Sequence, residues 1–481
     1  MKLIKNTCLF SALLVATFCL NGCLSVGPDY EQPEIKTPDV WGQAIMHDFQ
    51  AGTNSNMQNW WTLFDDDILN ELIVMSSTNN PDLMIAAERI VEAAALRGIA
   101  KSLWFPQISG DGAATRVQVS EKVFAPLPGG DNKATQYSIG GSMTWELDLW
   151  GRVRRHVEAS DASMQATVED YRDTMVMLYA EIAYQYMQVR ALQTRIILAK
   201  ESISLQQDTL KLTTDRNAAG LSPDLDIYQA KMNLAQTKAT IPPLVINLAR
   251  AVHRLGVLSG QEPSALREKL QCKTLDIPKV PNEIMIGLPA DLLRQRPDVR
   301  SAERRLASQH AMIGAKKAEL YPTFMLPGTL NLQAYDSSDS GGDALGYTFG
   351  PAFRWNLFNG GRIRSQVEAE ESRTKQASIN YERVVLSALE DVENAMVAIT
   401  QERKHIVSLD EAVVASRKSV ELVKDLYKSG LTDFQNVLST ERSYMFQQDR
   451  LAEAEGSVAG YAVQLYKALG GGWSAGESNE N

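Results

Sequence analysis

The chain has 481 residues, is 44% hydrophobic and carries a formal net charge of −10. Its mean hydropathy is −0.21, and no run of about eighteen apolar residues follows the N-terminus, which excludes a bundle of membrane-spanning helices. The acidic balance gives no support to nucleic-acid binding, which favours a basic face.

In chain order, residues 1–22 read as an export signal: Lys2 and Lys5 precede an apolar stretch over 8–20. Leu20-Asn21-Gly22-Cys23 resembles a bacterial lipobox, in which Cys23 becomes the lipidated first residue. Leu24 stands where an aspartate would, by the same resemblance, favour retention at the inner membrane, so the expected destination is the outer membrane. Cys8 and Cys19 leave with the signal, and Cys272 is then a single thiol without an intrachain partner. Residues 23–60 form a Pro-, Gly- and Asn-rich lead.

Trp60-Trp61-x-x-Phe64 opens a first repeat over 61–260. Asn80-Pro81-Asp82 starts a helix that Pro106 ends. Strands follow at about 107–119 and 136–149. In the second, Tyr137, Ile139, Met143 and Trp145 alternate with Ser138, Gly140, Ser142, Thr144 and Glu146, a period of two over a length that crosses a bilayer as a tilted strand. Residues 120–135 and 335–344 are the polar loops of two hairpins.

A helical hairpin occupies 151–259, with Met175, Ile182, Val189, Ile196, Ile203 and Leu210 recurring every seven residues. A pattern held this long implies left-handed supercoiling, and seventy helical residues reach roughly 100 Å. The hairpin turns at Gly220 and returns from Asp224, with a bend expected at Pro242-Pro243. Residues 261–289 are a proline-rich linker.

The second repeat, over 290–470, restates the first at an offset of 210 positions: Val385, Val392, Ile399, Ile406, Val413 and Val420 match the heptad residues in order, and Gly430 matches Gly220. Its strands are expected at about 323–334 and 346–357, with Tyr347, Phe349, Phe353 and Trp355 facing lipid; its hairpin covers 361–469, and 471–481 is a polar tail. The sum is a mainly α chain with membrane β-structure: an internally duplicated helical barrel segment plus four transmembrane strands. Four strands cannot close a barrel in lipid, whose minimum is about eight, so oligomerisation with cyclic symmetry is expected.

Trp145-Glu-Leu-Asp-Leu-Trp-Gly-Arg152, Trp355-Asn-Leu-Phe-Asn-Gly-Gly-Arg362, the Trp60-Trp61-x-x-Phe64 motif and the lipobox together resemble the lipoprotein branch of the TolC-like outer membrane factors, the NodT type. The resemblance covers nearly the whole mature chain. It implies a homotrimer with a twelve-stranded β-barrel and a long periplasmic helical tunnel, working with a periplasmic membrane-fusion adaptor and an inner-membrane pump of the resistance-nodulation-division class. It also implies a periplasmic gate at the hairpin ends, formed here by Asp224, Asp226, Gln435, Asn436, Ser439 and Arg442. Members of that family usually carry an aspartate where this chain has Ser439, and often another at Asn436, so the acidic ring is reduced. The plain alternative for Asp224 is a helix N-cap, and Asp433 invites the same reading.

The five histidines are scattered and no catalytic motif is present, so no enzymatic activity, cofactor or metal is expected. The function implied is a passive exit duct for small molecules; the alternatives are a duct for type I protein secretion and a non-pore coiled-coil scaffold.

Overall fold

The computed structural model describes residues 25–42, 49–51, 57–118, 120, 122, 133–271, 276–281, 284–334 and 344–473. The signal, Cys23, Cys272, most of the two hairpin loops and the tail beyond 473 lie outside the described residues. The chain divides into two compact units: Met1–Glu34, Arg89–Val168 and Ser301–Tyr381 in one, and Ile35–Glu88, Glu169–Arg300 and Glu382–Asn481 in the other.

Before the first long hairpin come β1 (Phe49–Ala51), a 3-10 helix (Met57–Phe64), α1 (Asp67–Asn79), α2 (Pro81–Ser102), β2 (Gln107–Gln118) and β3 (Lys133–Leu147). The hairpin is α3 (Arg152–Ala218) and α4 (Asp224–Leu258). The linker holds α5 (Arg267–Leu270) and β4 (Ile284–Ile286), and α6 (Leu292–Gln295) opens the second repeat. The second half then gives α7 (Pro297–Ala318), β5 (Thr323–Ala334), β6 (Leu345–Phe349), β7 (Ala352–Arg354), α8 (Arg362–Lys428) and α9 (Phe434–Ala468). The duplication is literal in length, since α3 and α8 each have 67 residues and α4 and α9 each have 35. Helix α4 runs on through Pro242 and Pro243 without a break in its helical span.

In the first unit the strands form one antiparallel sheet in the order β2-β3-β5-β6, with β7 also on β5. The expected fourth strand, 346–357, is therefore divided. Its ladder stops at Phe349, ahead of Pro351, which has no N–H to donate, then resumes at Ala352 and ends at Arg354. Trp355 consequently lies outside the strand. Strand β3 starts at Lys133, earlier than expected, and stops at Leu147, where the N–H of Leu149 turns back to the Leu147 carbonyl at 2.8 Å.

The repeated tryptophans perform one task twice. Trp145 Nε1 donates to the carbonyl of Trp104 (2.9 Å) and Trp355 Nε1 to that of Leu320 (3.1 Å), tying the end of the preceding helical segment to the sheet in each half. The first half adds a local lock. Asp148 accepts from the backbone N–H groups of Val153 (3.0 Å) and Arg154 (2.9 Å), capping α3, while Arg152 holds Glu146 through two hydrogen bonds of 2.7 and 2.5 Å. The second half has Asn356 and Phe358 at these places, and Phe358 is 92% exposed.

The second unit is organised around aromatic packing. Trp60 is fully buried, stacked on Tyr466 at 5.2 Å and meeting the edges of Trp61 and Phe64; Trp61 meets Tyr179 at 5.0 Å. Nearby, buried Arg190 donates to Tyr186 Oη and Gln193 Oε1, and Tyr186 donates to Asp66 at 2.7 Å, so the charge is not left bare. Asp66 also caps α1.

The heptad seam is buried at Ile182, Val189 and Ile196, and at Val385, Val392 and Ile399. On α3 it changes character toward the turn. Ile203 and Leu210 are only half-buried, and the buried row on α3 becomes Ser202, Gln206, Thr209 and Thr213. On α3 the apolar heptad thus describes the middle of the helix, whereas on α8 its last member, Val420, is still buried.

Candidate functional site: a two-faced sheet and the hairpin turns

Pairing register fixes which side chains share a face. Ile108 lies opposite Met143, Ala114 opposite Tyr137, Ile139 opposite Leu332, Leu330 opposite Tyr347 and Phe324 opposite Phe353. On the other face Ser109 lies opposite Ser142, Ser142 opposite Thr329, and Thr329 opposite Thr348. A hydroxyl pair, Ser109 and Ser142, is hydrogen-bonded at 2.8 Å.

Of the residues expected to face lipid, Tyr137, Ile139, Met143, Trp145, Tyr347, Phe349 and Phe353 occupy the apolar face, and Trp355 sits just past its end. Ile139 is 65% and Tyr347 78% exposed in the single chain. An apolar surface this continuous on a soluble monomer would be exceptional, and it marks an interface with lipid or protein. Both sheet edges, β2 and the β6–β7 strand, carry unpaired backbone groups. Among the described residues no helix is long and apolar enough to cross a membrane.

The hairpin turns are built alike. Gly220 and Gly430 both take φ of +73°, and the N–H groups of Leu221 and Leu431 reach back to the carbonyls of Arg216 and Leu426, each at 2.9 Å. This is a Schellman closure, which an L side chain at the glycine would strain. After the first turn the N-cap of α4 is Pro223, without a side-chain cap bond, so the capping alternative for Asp224 fails. After the second, Asp433 does cap α9, accepting from the Asn436 N–H at 3.1 Å.

Asp224 instead accepts from Asn217 Nδ2 at 2.9 Å. Asp226 accepts from Tyr427 Oη at 3.3 Å, and the Arg216 guanidinium lies over the Tyr427 ring at 4.8 Å. Burial, reinforced by the Asp226 carboxylate, raises the pKa of that phenol and keeps it a donor. Arg442 donates to Asn233 Oδ1 at 2.8 Å and Gln236 Oε1 at 3.4 Å. Gln435, Asn436 and Ser439 are exposed, on the side of α9 away from buried Phe434, Val437 and Leu438. Among the described hydrogen bonds none joins Asp224 or Asp226 to Gln435, Asn436, Ser439 or Arg442.

Sequence reasoning missed Tyr427 and Arg216, and it missed a buried polar cluster. Glu441, 2% exposed, accepts from Thr209 Oγ1 at 2.5 Å and pairs with Lys424 at 3.1 Å. One signal was available. Thr209 precedes Gly220 by eleven residues and Glu441 follows Gly430 by eleven, so equal distances from the two turns bring them level.

Comparison with known proteins follows the same architecture. Residues 72–261 and 288–471 match the family described as outer membrane efflux protein. The chain is 28% identical over 479 residues to nodulation protein T of Rhizobium leguminosarum bv. trifolii, covering 98% of each. It is also 28% identical to the solvent efflux pump outer membrane protein SrpC of Pseudomonas putida, over 97% of this chain and 98% of that one. Among solved structures, the outer-membrane channel OprN superposes with a TM-score of 0.86 at 33% identity, covering 93% of this chain and 99% of that one. The two-faced sheet, the duplicated hairpins and these matches agree: the chain belongs to the outer membrane efflux protein family.

Proposed function

We propose that three copies of this chain form the outer-membrane exit duct of a tripartite efflux system, passively conducting small molecules delivered by an inner-membrane pump of the resistance-nodulation-division class and a periplasmic adaptor. The observation that carries the reading is the open sheet with one apolar and one polar face. One chain supplies four strand passes, counting β6 and β7 as one, and leaves two edges that cost free energy in lipid unless paired. Joining β2 of one copy to the β6–β7 strand of the next removes every edge, and three copies give an even, closed barrel of twelve passes with apolar residues outward and hydroxyls inward. A scaffold without a pore has no use for such strands.

The test is dye accumulation in cells lacking their own outer-membrane efflux proteins and supplied with this chain, a pump and an adaptor. Lower accumulation of an amphipathic dye is expected. Unchanged accumulation, or export of a protein cargo in its place, would contradict the efflux reading.

The hairpin ends are proposed as the gate. The Asp226–Tyr427 and Arg442–Asn233 contacts hold neighbouring helices together, each hydrogen bond contributing about 1 kcal/mol. Tyr427→Phe combined with Arg442→Ala is expected to raise single-channel conductance, and an unchanged conductance would remove these contacts from closure.

Cys23 is proposed as the lipid attachment point. Cys23→Ser is expected to abolish incorporation of labelled fatty acid while the trimer still forms; full labelling of the variant would refute the assignment.

A further inference from the structure

Among the described residues of the sheet's apolar face, two are charged, and both are cations. Arg116 lies opposite Thr135 and Lys133 opposite Gln118, on the same side as the Ala114–Tyr137 and Gly112–Ile139 pairs. Arg116 and Lys133 are therefore diagonal neighbours on adjacent strands, with Cα atoms roughly 7–8 Å apart, and both are exposed. The acidic residues of these strands, Asp111 and Glu146, belong to the opposite face.

Their height is set by the aromatic residues. Trp145 stands at the end of the sheet nearest the helices, and Tyr137 lies eight residues further along β3. That separation is roughly 27 Å along the strand, or about 20 Å along the membrane normal after a tilt near 40°. It spans most of an apolar band about 25 Å tall. Arg116 is the next residue on its face beyond the Tyr137 rung, at the loop end of the hairpin. A lipid-facing Arg or Lys costs several kcal/mol at the midplane and little at the headgroup layer, and these two sit where that cost vanishes.

Resting on the duct reading above, in which the loop end of the sheet faces the exterior, we infer that Arg116 and Lys133 form a site for the phosphate of a phosphorylated glycolipid in the outer leaflet. The guanidinium offers a planar, two-pronged donor set and the ammonium a second charge, so one phosphate satisfies both without displacing a partner among the described residues. Below them the same face carries Ala114, Gly112 and Gly110, which leave an attached acyl chain room against the strand.

The experiment uses the purified full-length protein in detergent, titrated with bis-phosphorylated lipid A, with fully dephosphorylated lipid A of the same acyl chains, and with inorganic phosphate. Binding is read by native mass spectrometry and thermal unfolding. Wild-type protein is expected to bind lipid A at least about tenfold more tightly than either the dephosphorylated lipid or the Arg116→Gln/Lys133→Gln variant binds its counterpart. Equal binding by wild type and variant, or equal binding of the two lipids, would overturn the proposal. So would saturation by inorganic phosphate as readily as by lipid A. Trimer mass and conductance are recorded on the same samples. Wild type lacking both contradicts the duct itself, whereas wild type with both and no phosphate-dependent binding contradicts this site alone.

Discussion

Lysine in place of Ile139 is expected to lower the stability of the assembled barrel by about 2–4 kcal/mol, measured as resistance to heat or urea in lipid vesicles. Ile139 lies on the apolar face opposite Leu332, two residues from the Tyr137 rung and six from the Trp145 rung. An ammonium there has neither water nor a counter-ion, and its four-carbon stem must reach past the Tyr137 rung to find the headgroups. The control is its neighbour. Ser138 points to the polar face opposite Gln333, where Ser138→Lys meets water and should change stability by well under 1 kcal/mol. Equal effects at 138 and 139 would mean that the faces are not distinguished by lipid.

The second large effect is expected in the other unit, where Trp60→Ala should cost about 3–5 kcal/mol. Trp60 is fully buried among Tyr466, Trp61 and Phe64, and truncation leaves a cavity that these ring systems cannot collapse into. Trp60→Phe separates two contributions. It loses volume and stacking on Tyr466, but it also removes an indole N–H that has no hydrogen-bond partner among the described residues. An unpaired buried donor is itself unfavourable by about 1–3 kcal/mol, so the phenylalanine variant should fall well short of the alanine cost. A loss equal to that of alanine would show that packing alone decides the site.

What could be read in advance was what repeats. Period two in β3 and period seven in α3 and α8 each follow from burying one face, and the 210-residue offset allowed the second strand and the long hairpin of one half to be checked against the other. What could not be read depends on contacts between distant segments. Pro351 divides the last strand where the alternation continues on paper, and Trp355, one residue past the end of the ladder, is tied to Leu320. Asp224 and Asp433 follow similar turns, yet Pro223 takes the capping position in one case and Asp433 in the other. The polar packing near the first turn was hidden because heptad reading ranks Ile203 and Leu210 above Thr209, whereas Glu441, itself paired with Lys424, supplies the partner that lets Thr209 be buried. Arg116 and Lys133 were passed over because alternation was sought at apolar positions, and a charge on the lipid side becomes informative only when pairing register gives its height.

The account turns on whether an open sheet of one chain is completed by two others into a conducting ring. The most direct measurement is ion conductance of the purified protein in a planar bilayer, with its mass determined in the same detergent. Three chains per particle and discrete current steps are expected, while a particle of one chain that passes no current would contradict the account.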